Sequence, residues 1–179
     1  DINNNKNHWN PFTILNVPQQ YDLSLALIKQ STLKLLAINH PDRFTDPLEQ
    51  ANAETTAAQI NKASRILQND ASRANIILKL AGGPDKEQNK SLPDGFLMDI
   101  MESRQDMEVA INSNNPEEKE KFQIWANDKR TSYKNKIQKL FNTFTQNESD
   151  TNKKNEILNT IRVELNAWRY IERMIEQLN

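Results

Sequence analysis

Apolar residues recur at threes and fours along most of the chain. Leu25, Ile28, Thr32, Leu35 and Leu36 form one such run, and Ala53, Ala57, Ile60, Ala63 and Leu67 form another. That spacing puts each set on one face of an amphipathic helix. A short helix over Asn10-Pro11-Phe12-Thr13-Ile14-Leu15 precedes them and is broken by Val17-Pro18. Its Phe12 and Leu15 are placed to pack on the following pair. Asp22 reads as the N-cap of the second helix, which runs to about Asn39. Asp46-Pro47 supplies a cap and a first helical position for the third, ending near Asn69-Asp70. A fourth helix over residues 71–81 carries Ala74, Ile77, Leu78 and Ala81 on one side, and Gly82-Gly83-Pro84 stops it.

The second half begins at Pro93-Asp94. Phe96, Leu97, Ile100, Met101, Met107 and Ile111 make one stripe, closed by Asn114-Asn115-Pro116. Phe122, Trp125, Tyr133, Ile137, Leu140 and Phe144 keep a helical period through the next helix. Residues 147–155 form a polar turn. The last helix buries Ile157, Ile161, Leu165, Trp168 and Ile175, and it has a second stripe of Val163, Ala167, Tyr170 and Met174. That stripe either widens the core contact or stands exposed as a binding face. Alternating runs and Asn-Gly hairpin turns are missing. The predicted fold is all-α, with a helical hairpin unit followed by an antiparallel three-helix bundle. The wholly polar stretch at 85–91 marks the boundary. The expected division is a disordered tail at 1–9, a first domain at 10–84, a linker at 85–92 and a bundle at 93–179.

Composition narrows the function classes. Of 179 residues, 36% are hydrophobic and 26% charged, which suits small helical units better than one thick core. No apolar run nears the roughly 20 residues that span a bilayer, and the Asn-rich start has no signal-peptide core. With no cysteine, thiolate zinc and iron–sulfur sites are excluded, and no cofactor is expected. A net charge of −1 gives no global pull toward nucleic acid or membrane. The basic run Lys129, Arg130, Lys134, Lys136 and Lys139 reads as a solvated face. Glu117, Glu118 and Glu120 sit at a helix start, where acids favour the dipole. His8 and His40 are the only histidines, and no Gly-rich phosphate loop exists, so no catalytic constellation emerges.

What stands out is His40-Pro41-Asp42, between the two long amphipathic runs. Pro41 lacks an N–H and biases His40 away from helical geometry, so the helix stops and a short loop lifts three side chains toward a partner. Asp42 can accept charge-assisted hydrogen bonds from a partner arginine. Pro41 stiffens the loop, and His40 offers a ring donor and acceptor. Lys29, Lys34 and Arg43 add attraction to an acidic surface, an effect that salt weakens.

This arrangement, with Ile60-Asn61-Lys62-Ala63 in the following helix, resembles the J domain of co-chaperones that engage seventy-kilodalton heat-shock ATPases. Three matches narrow the resemblance to one family, the iron–sulfur cluster co-chaperones called HscB. They are Pro11-Phe12-Thr13-Ile14-Leu15 with His40-Pro41-Asp42-Arg43-Phe44, then Ile60-Asn61-Lys62-Ala63 through Arg73-Ala74 and Leu78-Lys79-Leu80, then Phe96-Leu97-Met98-Asp99-Ile100-Met101-Glu102. The resemblance covers residues 10–178.

The resemblance implies a two-ended adaptor and no enzyme. The J domain, through His40, Pro41, Asp42, Arg43, Lys29, Lys34 and Asn61, stimulates ATP hydrolysis by a dedicated HscA-like chaperone. The bundle holds an IscU-like cluster scaffold through Leu97 and Met101, with Met98 and Glu102 close by. The family's last-helix aromatic falls on Ala167 in one register and on Tyr170 in another. The chain departs from the family in three places. Leu36-Ala37-Ile38 stands where J domains usually carry a basic cluster, Met101 replaces the usual Leu, and the cysteine-rich segment of some eukaryotic members is missing. These features point to a bacterial cytoplasmic protein rather than a mitochondrial matrix one. A J protein for another client and an inert helical adaptor are the alternatives.

Overall fold

The computed structural model describes residues 9–147 and 149–178. Of the disordered tail expected over residues 1–9, residues 1–8 lie outside them, whereas Trp9 is held in place, its Nε1 donating to Gln59 Oε1 at 2.6 Å. Seven α-helices and one 3₁₀ turn make up the described residues, with no strand among them. The backbone contacts divide the chain into two compact units between Arg73 and Ala74.

In the first unit, α1 (Pro11–Leu15) is capped by Asn10, whose side chain accepts the N–H groups of Phe12 and Thr13. Asn16 closes it in the left-handed region at φ 52°, with Asn16 N–H on Thr13 and Val17 N–H on Phe12. This is a Schellman end with Asn in the place usually taken by Gly. Helix α2 (Leu25–Ile38) starts at Ser24, not at the expected Asp22; the Ser24 hydroxyl accepts the Leu27 N–H. Leu23 is buried ahead of it, so the extended segment runs two residues further before the helix can begin. The 3₁₀ turn Pro41–Arg43 follows, then α3 (Pro47–Gln68), with Asp46 as cap and Pro47 in its first turn. Both α1 and α2 pack on α3. Phe12, Leu15, Ile28, Ile60, Ala63 and Leu67 form their buried core. Inside it the Thr32 and Ser64 hydroxyls are hydrogen-bonded at 2.9 Å, so neither is buried unpaired.

Helix α4 (Asp70–Leu80) contains the division between the units. Its end is a second Schellman motif: Gly82, at φ +79°, donates to Lys79, and Gly83 donates to Leu78. A Cβ on Gly83 would run into the Leu78 side chain, which would have to shift to admit it.

The second unit holds α5 (Phe96–Asn112), α6 (Pro116–Gln146) and α7 (Thr151–Leu178), each packing on the other two. Asn115 caps α6 by accepting the Glu117 N–H. The core of α6 is Phe122, Ala126, Ile137 and Phe141, whereas the expected Leu140 and Phe144 are only half-buried. Helix α7 buries Ile157, Ile161, Leu165, Trp168 and Ile175 as expected. Its second stripe is corrected by the structure. Ala167 and Met174 are buried, Val163 is half-buried, and only Tyr170 stands out. The helix serves two neighbours and so needs a broad apolar face. The polar stretch at 85–91 lies in this unit, and Asn166 Nδ2 donates to the carbonyls of Asn89 (2.9 Å) and Ser91 (3.0 Å).

Candidate functional site

In the first unit the loop residues are held from below. His40 is the N-cap of the 3₁₀ turn, and its Nδ1 accepts the Asp42 N–H at 3.3 Å. Asp42 Oδ2 approaches the same nitrogen at 3.6 Å. Both side chains are exposed, at 59% and 89%. Four further bonds fix the backbone around them. Asn39 Nδ2 donates to Leu35, Arg43 Nη1 to Ala37, Gln50 Nε2 to Phe44, and the Phe44 N–H to Pro41. Arg43 and Asn39 thus satisfy carbonyls at the end of α2, which a helix otherwise leaves open.

This brace was not foreseen from the sequence. Arg43 remains exposed, and one nitrogen of its guanidinium is taken up by a local carbonyl. The one signal was a cation a few residues beyond a helix end. Lys29 and Lys34 are both exposed on α2. Five residues apart, they lie roughly 140° from each other around the helix and do not form one cluster. Asn61 is exposed on α3, where it borders a shallow depression with Ser64, Arg65, Gln68 and Asn69.

In the second unit, Gly95 opens α5 in the left-handed region at φ +76°, without a side-chain cap. No residue of α5 is fully buried. The helix is held through half-buried Phe96, Ile100 and Met107, packed on Phe122, Ala126, Ile171 and Ile175. The expected stripe therefore splits. Leu97, Met98 and Met101 face outward at 52, 71 and 70% exposure, and Glu102 is exposed beside them. Tyr170 is 45% exposed and meets Phe96 edge-on. Ala167 has no exposed surface. Of the two registers for the last-helix contact, only Tyr170 is within reach of a partner. Among the described residues, no group of His, Asp and Glu side chains is arranged to hold a metal ion.

The family model of the HSCB C-terminal oligomerisation domain matches residues 92–179, which contain the whole of this patch. The chain is similar to the HscB co-chaperones. A co-chaperone protein HscB homolog from Aliivibrio salmonicida is 34% identical over 111 residues, 60% of this chain and 65% of that protein. Another, from Vibrio atlanticus, is 33% identical over 112 residues. The chain thus matches just under two thirds of these relatives' length. Two solved structures share the fold. Human HscB has a TM-score of 0.74 at 17% identity, covering 94% of this chain and 80% of that one. HscB from Vibrio cholerae has 0.64 at 22%, covering 95% and 99%. The all-helical architecture is that of HscB proteins, a J domain with a C-terminal helical bundle. Among the described residues, no helix is long and apolar enough to cross a membrane.

Proposed function

We propose that this chain is a two-ended adaptor in iron–sulfur cluster assembly. The J domain, residues 10–84 with the bridging helix, docks His40, Pro41 and Asp42 on a dedicated HscA-like ATPase and promotes its hydrolysis of ATP. The bundle, residues 93–179, holds an IscU-like scaffold on Leu97, Met98, Met101, Glu102 and Tyr170. The chain performs no bond chemistry; it couples two binding events to the chaperone's closed state. Bacterial relatives support a cytoplasmic place of work.

The observation that carries this reading is the sorting of apolar residues on α5. Phe96, Ile100 and Met107 go inward, while Leu97, Met98 and Met101 stay out. Three neighbouring apolar side chains left in water at a helix start suit a partner's apolar surface. The braced loop supports the other end, since an ordered loop loses less entropy on docking.

The test is steady-state ATP hydrolysis by the chaperone with this protein, with and without scaffold. Synergistic stimulation, lost in Leu97→Ala/Met101→Ala, is the expected result. Stimulation indifferent to scaffold would instead favour a J protein with another client. Absence of any stimulation would leave an inert helical adaptor.

A further inference from the structure

Within the second unit, the turn after α4 and the face of α7 that holds it form another built region. Asn159, Arg162 and Asn166 occupy one row of α7, at i, i+3 and i+7. Each reaches the preceding segment. Asn159 Oδ1 accepts from Asn89 Nδ2 at 3.3 Å. Arg162 Nε donates to the Pro84 carbonyl at 3.0 Å and Nη2 to Asn75 Oδ1 at 2.8 Å. Asn166 donates as described above.

Arg162 is only 6% exposed, and both of its acceptors are neutral. A buried guanidinium ordinarily sits against a carboxylate, because taking the charge out of water is costly. Burial disfavours the charged form here, and Asp85, acting through space, offsets this only in part. Asp85 is itself occupied, since its Oδ1 accepts the N–H groups of Glu87 (2.8 Å) and Gln88 (2.9 Å). Beside the guanidinium lies a cavity of about 370 Å³, lined by Arg162, Lys79, Lys86, Asp85, Asn75 and Gln88 among others. Three cations therefore line the cavity with one carboxylate, whose Oδ1 is taken up by the turn.

We propose that this cavity binds a phosphate-class oxyanion, with Arg162 as its buried anchor and Lys79 and Lys86 at its mouth. A tetrahedral dianion matches the donor fork of an arginine and the point charges of two lysines. It also adds counter-charge beside a buried guanidinium that Asp85 offsets only in part. The row on α7 keeps the site rigid by strapping the turn in place. The shared chemistry is a phosphoryl dianion, whether free or on a small organic ester.

The full chain is melted, and phosphorus NMR recorded, in rising inorganic phosphate and separately in rising glycerol 3-phosphate, with ionic strength balanced by chloride. A saturable rise in melting temperature with either anion supports the site, and which anion saturates it identifies the source. Lys79→Ala/Lys86→Ala leaves the Arg162 clamp intact and is expected to melt normally in chloride. Its apparent affinity should fall at least about fivefold, whereas Lys139→Ala, away from the cavity, should bind as the parent. Saturation by neither anion overturns the proposal, and so does an unchanged affinity in the double lysine variant.

Discussion

The ring of Phe96 meets the ring of Tyr170 edge-on, with centroids 6.0 Å apart and planes at 70°. Phe96 belongs to the core cluster and Tyr170 stands at the surface, so the contact ties an exposed aromatic of α7 to the first residue of α5. Such aromatic pairs add roughly 0.5–1.5 kcal/mol beyond their area and favour one ring placement. Tyr170→Ala is expected to weaken scaffold binding by at least about 1 kcal/mol, as apolar and aromatic anchors do near a patch centre. Ala167→Leu should act differently, lowering the melting temperature by overpacking a closed site. Calorimetric titration and a thermal melt of each variant read the two effects. If Tyr170→Ala bound the scaffold normally, the last helix would be out of the interface.

Arg43 donates to the Ala37 carbonyl at 3.0 Å across the end of α2. Because the contact is exposed, Arg43→Ala should cost less than about 1 kcal/mol of stability. The loop should nonetheless lose order, so amides at 39–44 exchange faster and chaperone stimulation falls. His40→Gln is expected to abolish stimulation while leaving exchange and melting as they were, apart from the Asp42 amide. Loss of stimulation in Arg43→Ala with unaltered exchange would mean that Arg43 touches the partner directly.

Helix starts were legible where a single residue type decides them. Asp46 and Asn115 cap as expected, Asn10 caps the helix it was expected to begin, and Pro47 and Pro116 take the first turn. Asp22 and Ser24 are both good caps, and the burial of Leu23, a tertiary fact, chose between them. In α6 the seam drifts. Over 31 residues a 3.6-residue period departs from any fixed heptad, and Phe141 is buried where Leu140 and Phe144 were expected. The exposed patch on α5 could be located by resemblance but not by period alone, since Leu97 and Ile100 share a helical stripe while only Ile100 packs inward. The polar stretch at 85–91 reads as a linker from composition because its partners, Asn159, Arg162 and Asn166, lie some seventy-five residues away. Local pattern carries no trace of them.

Arg73 is 2% exposed, yet every nitrogen of its guanidinium is used. It donates to the Tyr21 and Leu67 carbonyls and to Asp70, and it sits 5.1 Å from the Tyr21 ring centre. Arg73→Ala removes the shared donor of three acceptors and should cost about 3–5 kcal/mol in urea unfolding, the range for breaking a buried ion pair. Arg73→Lys should recover little, because one ammonium cannot span that planar fork. Full recovery by lysine would reduce the site to simple charge.

The loosest attachment in the bundle is α5, which has no fully buried residue. Its amides should exchange sooner than those of α6 and α7 by hydrogen–deuterium mass spectrometry, because local opening follows sparse burial. Scaffold binding should slow α5 selectively. Uniform protection across the three helices would show that half-buried Phe96, Ile100 and Met107 suffice to fix it.

Tyr133 couples the bundle to alkaline pH. Its ring stacks on Trp168, with centroids 5.9 Å apart and planes at 12°. Burial, helped by the nearby Glu164 charge, pushes its hydroxyl up to about 12, against about 10 in the unfolded chain. Between those values the unfolded chain has already lost the proton and the folded one keeps it. Stability from this group is therefore complete below about pH 10 and is lost as pH rises through about 12. Tyr133→Phe keeps the stack and removes the titration. The stability difference between parent and variant should be constant below pH 10 and shift toward the variant above it. Every other titratable group is common to both proteins, so the difference isolates Tyr133. Urea melts at half-unit steps from pH 8 upward measure it, and parallel curves throughout would mean that the Tyr133 hydroxyl is open to water.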